Sequence, residues 1–149
     1  MENRDLIDLL RQHVMPQRAE KMHAVSSQRT RYITLVLEDI HYTQNISAIV
    51  RTCDCIGIQD IYLIGENTSS RLNKHVTLGA SHWIDIHRET KRPKEEVLSE
   101  IKDKGYRLAA AVVDNAAIPV IDYEVERGKC AIILGNEMQG VSRVVREMA

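Results

Sequence analysis

The sequence predicts an α/β fold, with a parallel β-sheet and a helical extension at the N-terminus. Its 149 residues are enough for one domain with a single core. Short apolar segments separated by helical patterns recur along the chain, which is typical of buried parallel strands. The first such strand, the helix after it and the next strand together span about thirty residues, the size of a right-handed βαβ unit.

Residues 1–32 are predicted to form the helical extension, and residues 33–149 the α/β domain. One face of the first helix carries apolar residues at helical spacing, namely Leu6, Leu9, Leu10 and Val14. Pro16 either ends this helix or opens a second one, which we expect to continue to about Val25.

The first strand of the domain is predicted over residues 33–37, and a polar segment follows it. Asn45 stands where the N-cap of the next helix belongs. One stripe of that helix should face the core, and a second set, four residues apart, should lie on another face. These sets are Ile46, Ile49, Val50 and Cys53, and Ser47, Arg51 and Cys55. Gly57 should end the helix before a strand over residues 60–64.

The later elements follow from the same patterns. We expect a helix near residues 73–81, a short strand over 84–87 and a helix over 93–104 that Gly105 terminates. Apolar runs at 108–113 and 130–134 predict two further buried strands. The carboxyl ends of parallel strands meet at one edge of a sheet, where ligands gather. The segments 38–51, 112–117 and 135–140 should therefore supply the site.

Composition excludes several classes of protein. No apolar run approaches the roughly 20 residues that cross a bilayer, and the polar start is unlike a signal peptide, so we expect a cytoplasmic protein without a membrane anchor. Cys53, Cys55 and Cys130 are expected to be reduced thiols. The histidines and cysteines lack metal-ligand spacing, so no metal is expected.

The net charge of −1 does not indicate a nucleic-acid partner, but the distribution of charge is uneven. Basic side chains outnumber acidic ones in residues 71–94 and cluster late in the extension. They are Arg71, Lys74, Arg88, Lys91, Arg92 and Lys94, and Arg18, Lys21, Arg29 and Arg31. Each set fits either a phosphate-binding surface or an ordinary solvated face.

Taken singly, the candidate site residues also have two interpretations. Asn45 is a helix cap or a site residue, and Arg51 is a surface arginine or a catalytic one. The segment G-N-E-M-Q-G at residues 135–140 is neither a P-loop nor a dinucleotide fingerprint. Its Glu137 is a helix-start carboxylate or a functional one.

Two longer motifs separate these alternatives. The segment V-L-E-D-I-H-Y-T-Q-N-I-S-A-I-V-R-T-C-D-C-I-G, residues 36–57, resembles the first motif of the SpoU/TrmH family of SPOUT RNA methyltransferases. The segment I-I-L-G-N-E-M-Q-G-V-S, residues 132–142, resembles the second motif. The resemblance covers nearly the whole chain and implies the SPOUT (α/β knot) fold.

The resemblance implies transfer of a methyl group from S-adenosylmethionine to a ribose 2′-hydroxyl of RNA by a homodimer. A D-loop guanosine of tRNA is the favoured target, and ribosomal RNA is the alternative. By position, the catalytic set is Arg51, Asn45 and Glu137, and the cofactor-binding set is Ala111, Leu134, Gly135, Asn136 and Gly140. Arg18 and Arg51 are the expected RNA-binding residues.

The chemistry and the motifs leave two questions. A guanidinium stays protonated far above neutral pH, so Arg51 acts as a base, an alkoxide stabiliser or a phosphate clamp.

The family's third motif, a serine-leucine-asparagine segment that forms a knot, does not occur before Ala149. We therefore expect the knot to be absent or incomplete in these 149 residues and cofactor binding by them to be weak. A non-catalytic RNA-binding module is the rival hypothesis, and a small-molecule α/β enzyme a more distant one.

Overall fold

The structure, a computed structural model, describes residues 3–69 and 71–149. Within these residues five strands form one sheet in the order β3-β2-β1-β5-β4, and every pair of neighbours is parallel. The strands are β1 (Ile33–Glu38), β2 (Asp60–Ile64), β3 (Asp85–Glu89), β4 (Arg107–Ala110) and β5 (Cys130–Leu134). The predicted parallel α/β fold is confirmed.

The described part of the chain contains six α-helices. They are α1 (Asn3–Arg11), α2 (Pro16–Ser27), α3 (Thr43–Ile56), α4 (Lys74–Thr77), α5 (Lys94–Asp103) and α6 (Arg143–Met148). Pro16 opens α2, which is the second of the two alternatives that its sequence position allowed. None of the described helices is long and apolar enough to cross a membrane.

Two apolar clusters lie on opposite faces of the sheet, because successive side chains of a strand point to opposite sides. Val36 of β1 belongs to the cluster that α5 and α6 cover. Leu37, the next residue, belongs to the cluster that α3 covers. The predicted core stripe of α3 is confirmed, since Ile46, Val50 and Cys53 are fully buried.

Three predicted boundaries differ from the structure. Tyr42, not Asn45, is the N-cap of α3, so Asn45 lies within the first turn of the helix. The helix expected near residues 73–81 is only the short α4, because Leu78 and Gly79 adopt left-handed conformations before a 3₁₀ turn at Ala80–His82. Strand β4 ends at Ala110, three residues earlier than the apolar run suggested.

Arg29 joins the helical extension to the α/β domain. Its guanidinium is nearly buried, pairs with Asp54 of α3 and donates to the carbonyl oxygen of Ile58 at 3.3 Å. This contact fixes the end of α2 at the C-terminal end of α3, where Gly57 caps the helix in a left-handed conformation.

The site is positioned by the order of the strands. The chain leaves β1 through α3 to reach β2 on one side, whereas β5 and β4 lie on the other side of β1. The loops after β1 and β5 therefore diverge at a topological switch point, where parallel α/β sheets form a crevice.

Candidate functional site

The segment directly after β1 is held by a buried ion cluster. Glu38 is 1% exposed and accepts hydrogen bonds from Lys94 Nζ at 2.7 Å and from the backbone N–H of Ser142 at 2.8 Å. Lys94 also donates to Asp39 Oδ2 at 2.6 Å. Burial alone would lower the pKa of Lys94, but its bonds to Asp39 and Glu38 prevail and raise it. The charges therefore tie β1, α5 and the start of α6 together.

Asn136 shapes the loop after β5. Its backbone N–H and C=O pair with Gly140 at 2.9 and 2.8 Å, which closes a tight loop over residues 136–140. Its side-chain oxygen accepts from the N–H groups of Met138 and Gln139, and its amide donates to the carbonyl of Asp39 at 2.8 Å. The side chain of this predicted cofactor-binding residue thus organises the loop and joins it to β1.

Glu137 projects from this loop toward α3. Its Oε1 accepts a hydrogen bond from Asn45 Nδ2 at 2.7 Å, and its Oε2 accepts one from the backbone N–H of His41 at 3.4 Å. The two predicted site residues, one in each motif, are therefore in direct contact. Glu137 is not a helix-start carboxylate, because α6 begins only at Arg143.

The hydrogen bonds determine the charge of Glu137. Partial burial raises its pKa, but its own backbone N–H, the Asn45 amide and the N–H groups of His41 and Tyr42 together lower it below the usual value. A carboxyl with a lowered pKa is ionised at neutral pH and is a weak base. The arrangement suits Glu137 for holding Asn45 rather than for removing a proton.

Arg51 lies further along α3 than Asn45, about 9 Å along the axis at 1.5 Å per residue. It is exposed and has no hydrogen bond or ion pair with any described residue. Ser47, expected on the same face, is instead fully buried, because its hydroxyl bonds the carbonyl of Thr43 and the N–H of Asn73. Of that predicted face, only Arg51 and Cys55 are exposed.

In the described structure, no contact joins Arg18 to the loops after β1 and β5. It is exposed on α2, and no hydrogen bond or ion pair there joins it to Asn45 or Glu137. Its role in RNA binding therefore stays a prediction.

The remaining predicted cofactor-binding residues lie at neighbouring strand ends. The N–H of Ala111 donates to the carbonyl of Ile133 at 2.9 Å, which is the last ladder bond between β4 and β5. Leu134 ends β5 and is partly buried. A side chain on Gly135 would meet the backbone of Gly140 at 2.2 Å, so this glycine is required for closing the loop.

Gly140, unlike Gly135, has free space at the position of a side chain. Its φ is +68° and a Cβ there would meet nothing within 4 Å, so this side of its backbone faces open space. Open backbone and apolar side chains at strand ends suit a flat heterocyclic ring. The residues present therefore fit one wall of a site for S-adenosylmethionine.

Sequence reasoning placed Glu38 and Asp39 in a segment expected at this edge, but it named neither of them nor Lys94 as a site residue. A signal was available for the first two, because charged residues directly after a buried strand lie at the ligand-binding edge. Lys94 gave no such signal, since it stands in an ordinary helical pattern.

The three cysteines differ in burial. Cys53 and Cys130 are buried, Cys55 is exposed, and all three are free. Burial raises the pKa of the Cys53 thiol to about 11. Among the described residues no group of three or more histidine, cysteine, aspartate or glutamate side chains could hold a metal ion.

Comparison with known proteins shows which family this chain resembles. The sequence model of the SpoU rRNA Methylase family matches residues 32–149. The tRNA (guanosine(18)-2′-O)-methyltransferase of Borreliella burgdorferi is 31% identical over 93% of this chain and 62% of its own length. The corresponding enzyme of Aquifex aeolicus is 26% identical over 91% of this chain and 64% of its own length. The chain thus spans less than two thirds of the length of these relatives.

A solved structure shows the same fold. The A. aeolicus TrmH/SpoU tRNA modifying enzyme superposes with a TM-score of 0.78 and 26% identity, over 89% of this chain and 66% of that one. The family model covers the parallel sheet, both motifs and the Asn45–Glu137 contact. The chain belongs to the SpoU rRNA methylase family of SPOUT methyltransferases.

Proposed function

We propose that the protein methylates a ribose 2′-hydroxyl of RNA, with S-adenosylmethionine as methyl donor and a guanosine of tRNA as target. The observation that carries this proposal is the Asn45–Glu137 hydrogen bond, which joins the two family motifs at the start of the helix that carries Arg51. The names of the B. burgdorferi and A. aeolicus relatives support tRNA as substrate.

Arg51 is the proposed catalytic residue. Its guanidinium is exposed and has no carboxylate partner in the described structure, so its charge is available to RNA. As a permanent cation it would stabilise the negative charge that grows on the ribose oxygen. A residue that stays protonated at neutral pH suits this role better than the role of a base.

Asn45 and Glu137 are proposed as positioning residues. The ionised Glu137 accepts from the Asn45 amide and from the backbone N–H of His41, so it fixes the start of α3 against the loop after β5. Since Arg51 stands on the same helix, this contact sets where its guanidinium can reach. Small displacements of a catalytic group cost large factors in rate.

The cofactor would be held by strand ends and backbone. Ala111, Leu134 and Gly140 would provide an apolar wall and open backbone, whereas Gly135 and Asn136 would keep the loop in shape. S-adenosylmethionine would supply an electrophilic methyl group and leave as a neutral thioether, and the proton of the ribose hydroxyl would pass to water. We also propose that the protein is cytoplasmic and acts as a homodimer, in which the Arg18 of one chain would reach RNA bound by its partner.

The test measures methyl transfer from labelled S-adenosylmethionine to a tRNA transcript by the full-length protein. Arg51→Ala should lower the rate by about 10²–10³-fold, the typical effect of removing one group that stabilises an oxyanion. Its unfolding temperature should not change, because Arg51 contacts no partner in the described structure. Lys102→Ala, on the opposite face of the sheet, is the matched control and should keep full activity.

The outcomes separate the candidate functions. Loss of methylation with retained tRNA binding supports a catalytic Arg51. Absence of methylation by the unaltered protein, with firm tRNA binding, would favour a non-catalytic RNA-binding module. Methylation of ribosomal RNA but not of tRNA would move the target to the alternative within the family.

A further inference from the structure

The structure sorts the basic residues of segment 71–94 into paired and unpaired groups. Arg92 contacts Glu89, Glu96 and Glu100. Lys94 is held by Glu38 and Asp39. Each of these cations is occupied by carboxylates and contributes to the fold.

Arg71 and Lys74 differ from that group. Both are exposed, and neither side chain has a hydrogen bond or ion pair among the described residues. The extension shows the same division, since Arg29 pairs with Asp54, and Arg31 pairs with Asp60 and Asp85. Much of the positive charge that the sequence displays is therefore neutralised within the fold, but that of Arg71 and Lys74 is not.

The unpaired cations lie beside the ridge of α3 that carries Arg51. Thr43, Ser47 and Arg51 are four residues apart and so share one face of the helix. The Thr43 hydroxyl is 3.0 Å from the Ser69 hydroxyl, and the Ser47 hydroxyl accepts the N–H of Asn73 at 2.8 Å. Two successive turns of this ridge thus contact the segment that leads into α4.

These two contacts fix where Arg71 and Lys74 stand. Arg71 lies between the contact points Ser69 and Asn73, and Lys74 follows Asn73 as the first residue of α4. The helix α4 is anchored by the buried Thr77 and packs against α3. Arg51 is one turn beyond Ser47 on the same ridge and, like Arg71 and Lys74, is exposed, so we place the three cations along the seam between α3 and α4.

We propose that Arg71, Lys74 and Arg51 form one phosphate-binding surface, the α3–α4 surface, which holds the RNA backbone next to the ribose that is methylated. The proposal rests on the proposed function, because it takes RNA as the substrate and Arg51 as the catalytic residue. A guanidinium binds a phosphate with two parallel hydrogen bonds, and an ammonium adds a compact charge.

Phosphate contacts predict that binding by the α3–α4 surface does not depend on the RNA sequence. Contacts with phosphates position a nucleic acid but carry no base sequence information. Loss of Arg71 or Lys74 should therefore weaken binding to every RNA by the same factor. Each phosphate contact also releases counterions, so its loss lowers the salt dependence of binding.

The experiment measures binding of the full-length protein to a tRNA transcript and to an unrelated tRNA, by fluorescence anisotropy over a series of salt concentrations. The variants are Arg71→Ala, Lys74→Ala and their combination, with Lys102→Ala as the control for an exposed, unpaired lysine on the other face. Each single variant should weaken binding by about three- to tenfold and reduce the slope of log affinity against log salt by about 1. The combination should reduce it by about 2, and the control should change neither quantity.

Several results would overturn the proposal. An unchanged salt slope in the combined variant would show that neither side chain meets a phosphate, while the proposed methylation would stand. A loss confined to one of the two RNAs would indicate base recognition instead. If the unaltered protein binds no RNA, both this proposal and the proposed function fail. Arg71→Gln and Lys74→Gln preserve most of the side-chain length and replace any alanine variant whose circular dichroism shows misfolding.

Discussion

The side-chain amide of Asn45 donates a hydrogen bond to Glu137 Oε1 at 2.7 Å, between residues 92 positions apart in the sequence. The contact joins the first turn of α3 to the loop after β5. Because β1 and β5 are hydrogen-bonded neighbours, the bond spans the switch point of the sheet. It makes the two motifs one structural unit.

The strength of this contact is measurable by a double-mutant cycle. Asn45→Ala and Glu137→Ala should show a coupling of about 1 kcal/mol, below the 1.5–3 kcal/mol range for hydrogen bonds to charged groups because both residues are exposed. Urea unfolding of the four proteins provides the free energies. Additive effects of the two substitutions would show that the bond contributes nothing to stability.

The stability of the loop should depend on acid pH through Glu137. Its pKa is lowered in the fold, so its contribution is fully present above the unfolded value of about 4.3 and is lost as pH falls through the folded value. Glu137→Gln should therefore destabilise the protein at pH 7 and have a smaller effect at pH 3. Thermal unfolding at the two pH values tests this, and an equal difference at both would contradict it.

The buried carboxylate of Glu38 should make the protein sensitive to the loss of Lys94. Lys94→Met should cost about 3 kcal/mol, because it leaves a carboxylate that is 1% exposed without its cation. Lys102→Met on the same helix is the control, since Lys102 is exposed and unpaired in the described structure, and should change stability by less than about 0.5 kcal/mol. Equal losses in urea unfolding would refute the role of the ion cluster. Adding Glu38→Gln should restore part of the loss in Lys94→Met.

Two glycines of the loop after β5 should respond differently to alanine. Gly135→Ala places a methyl group 2.2 Å from backbone atoms of Gly140 and Val141, which should cost about 3 kcal/mol or unfold the loop. Gly140→Ala meets open space and costs only about 1–2 kcal/mol for its left-handed conformation. Differential scanning calorimetry should rank the two variants in this order, and the reverse order would disprove the loop geometry.

Thiol reactivity should distinguish the three cysteines. Cys55 is exposed, whereas Cys53 and Cys130 are buried, and burial keeps the Cys53 thiol protonated up to a pKa of about 11. A thiol reagent at pH 8 should therefore label Cys55 rapidly in the native protein and all three residues only after denaturation. Rapid native labelling that persists in Cys55→Ser would contradict this assignment.

The sequence by itself determined the elements whose signals are local. Apolar runs predicted strands β1, β2, β4 and β5, and the spacing of Ile46, Val50 and Cys53 predicted the buried face of α3. These patterns suffice because burial of an apolar side chain depends mainly on the repeat of its own helix or strand. The residues of the site were named by the two motifs, which indicated Asn45, Arg51 and Glu137 without indicating how they meet.

Only the tertiary structure decided which polar groups are partners. Ser47 was expected on a face other than the core stripe, together with Arg51 and Cys55, but it is fully buried and its hydroxyl accepts the N–H of Asn73. The basic stretch of the sequence divides into cations held by carboxylates, such as Lys94, and cations without a partner among the described residues, such as Lys74. A hydrogen bond or ion pair joins residues that lie far apart in the chain, so its presence depends on the arrangement of whole elements and leaves no periodic pattern in the sequence.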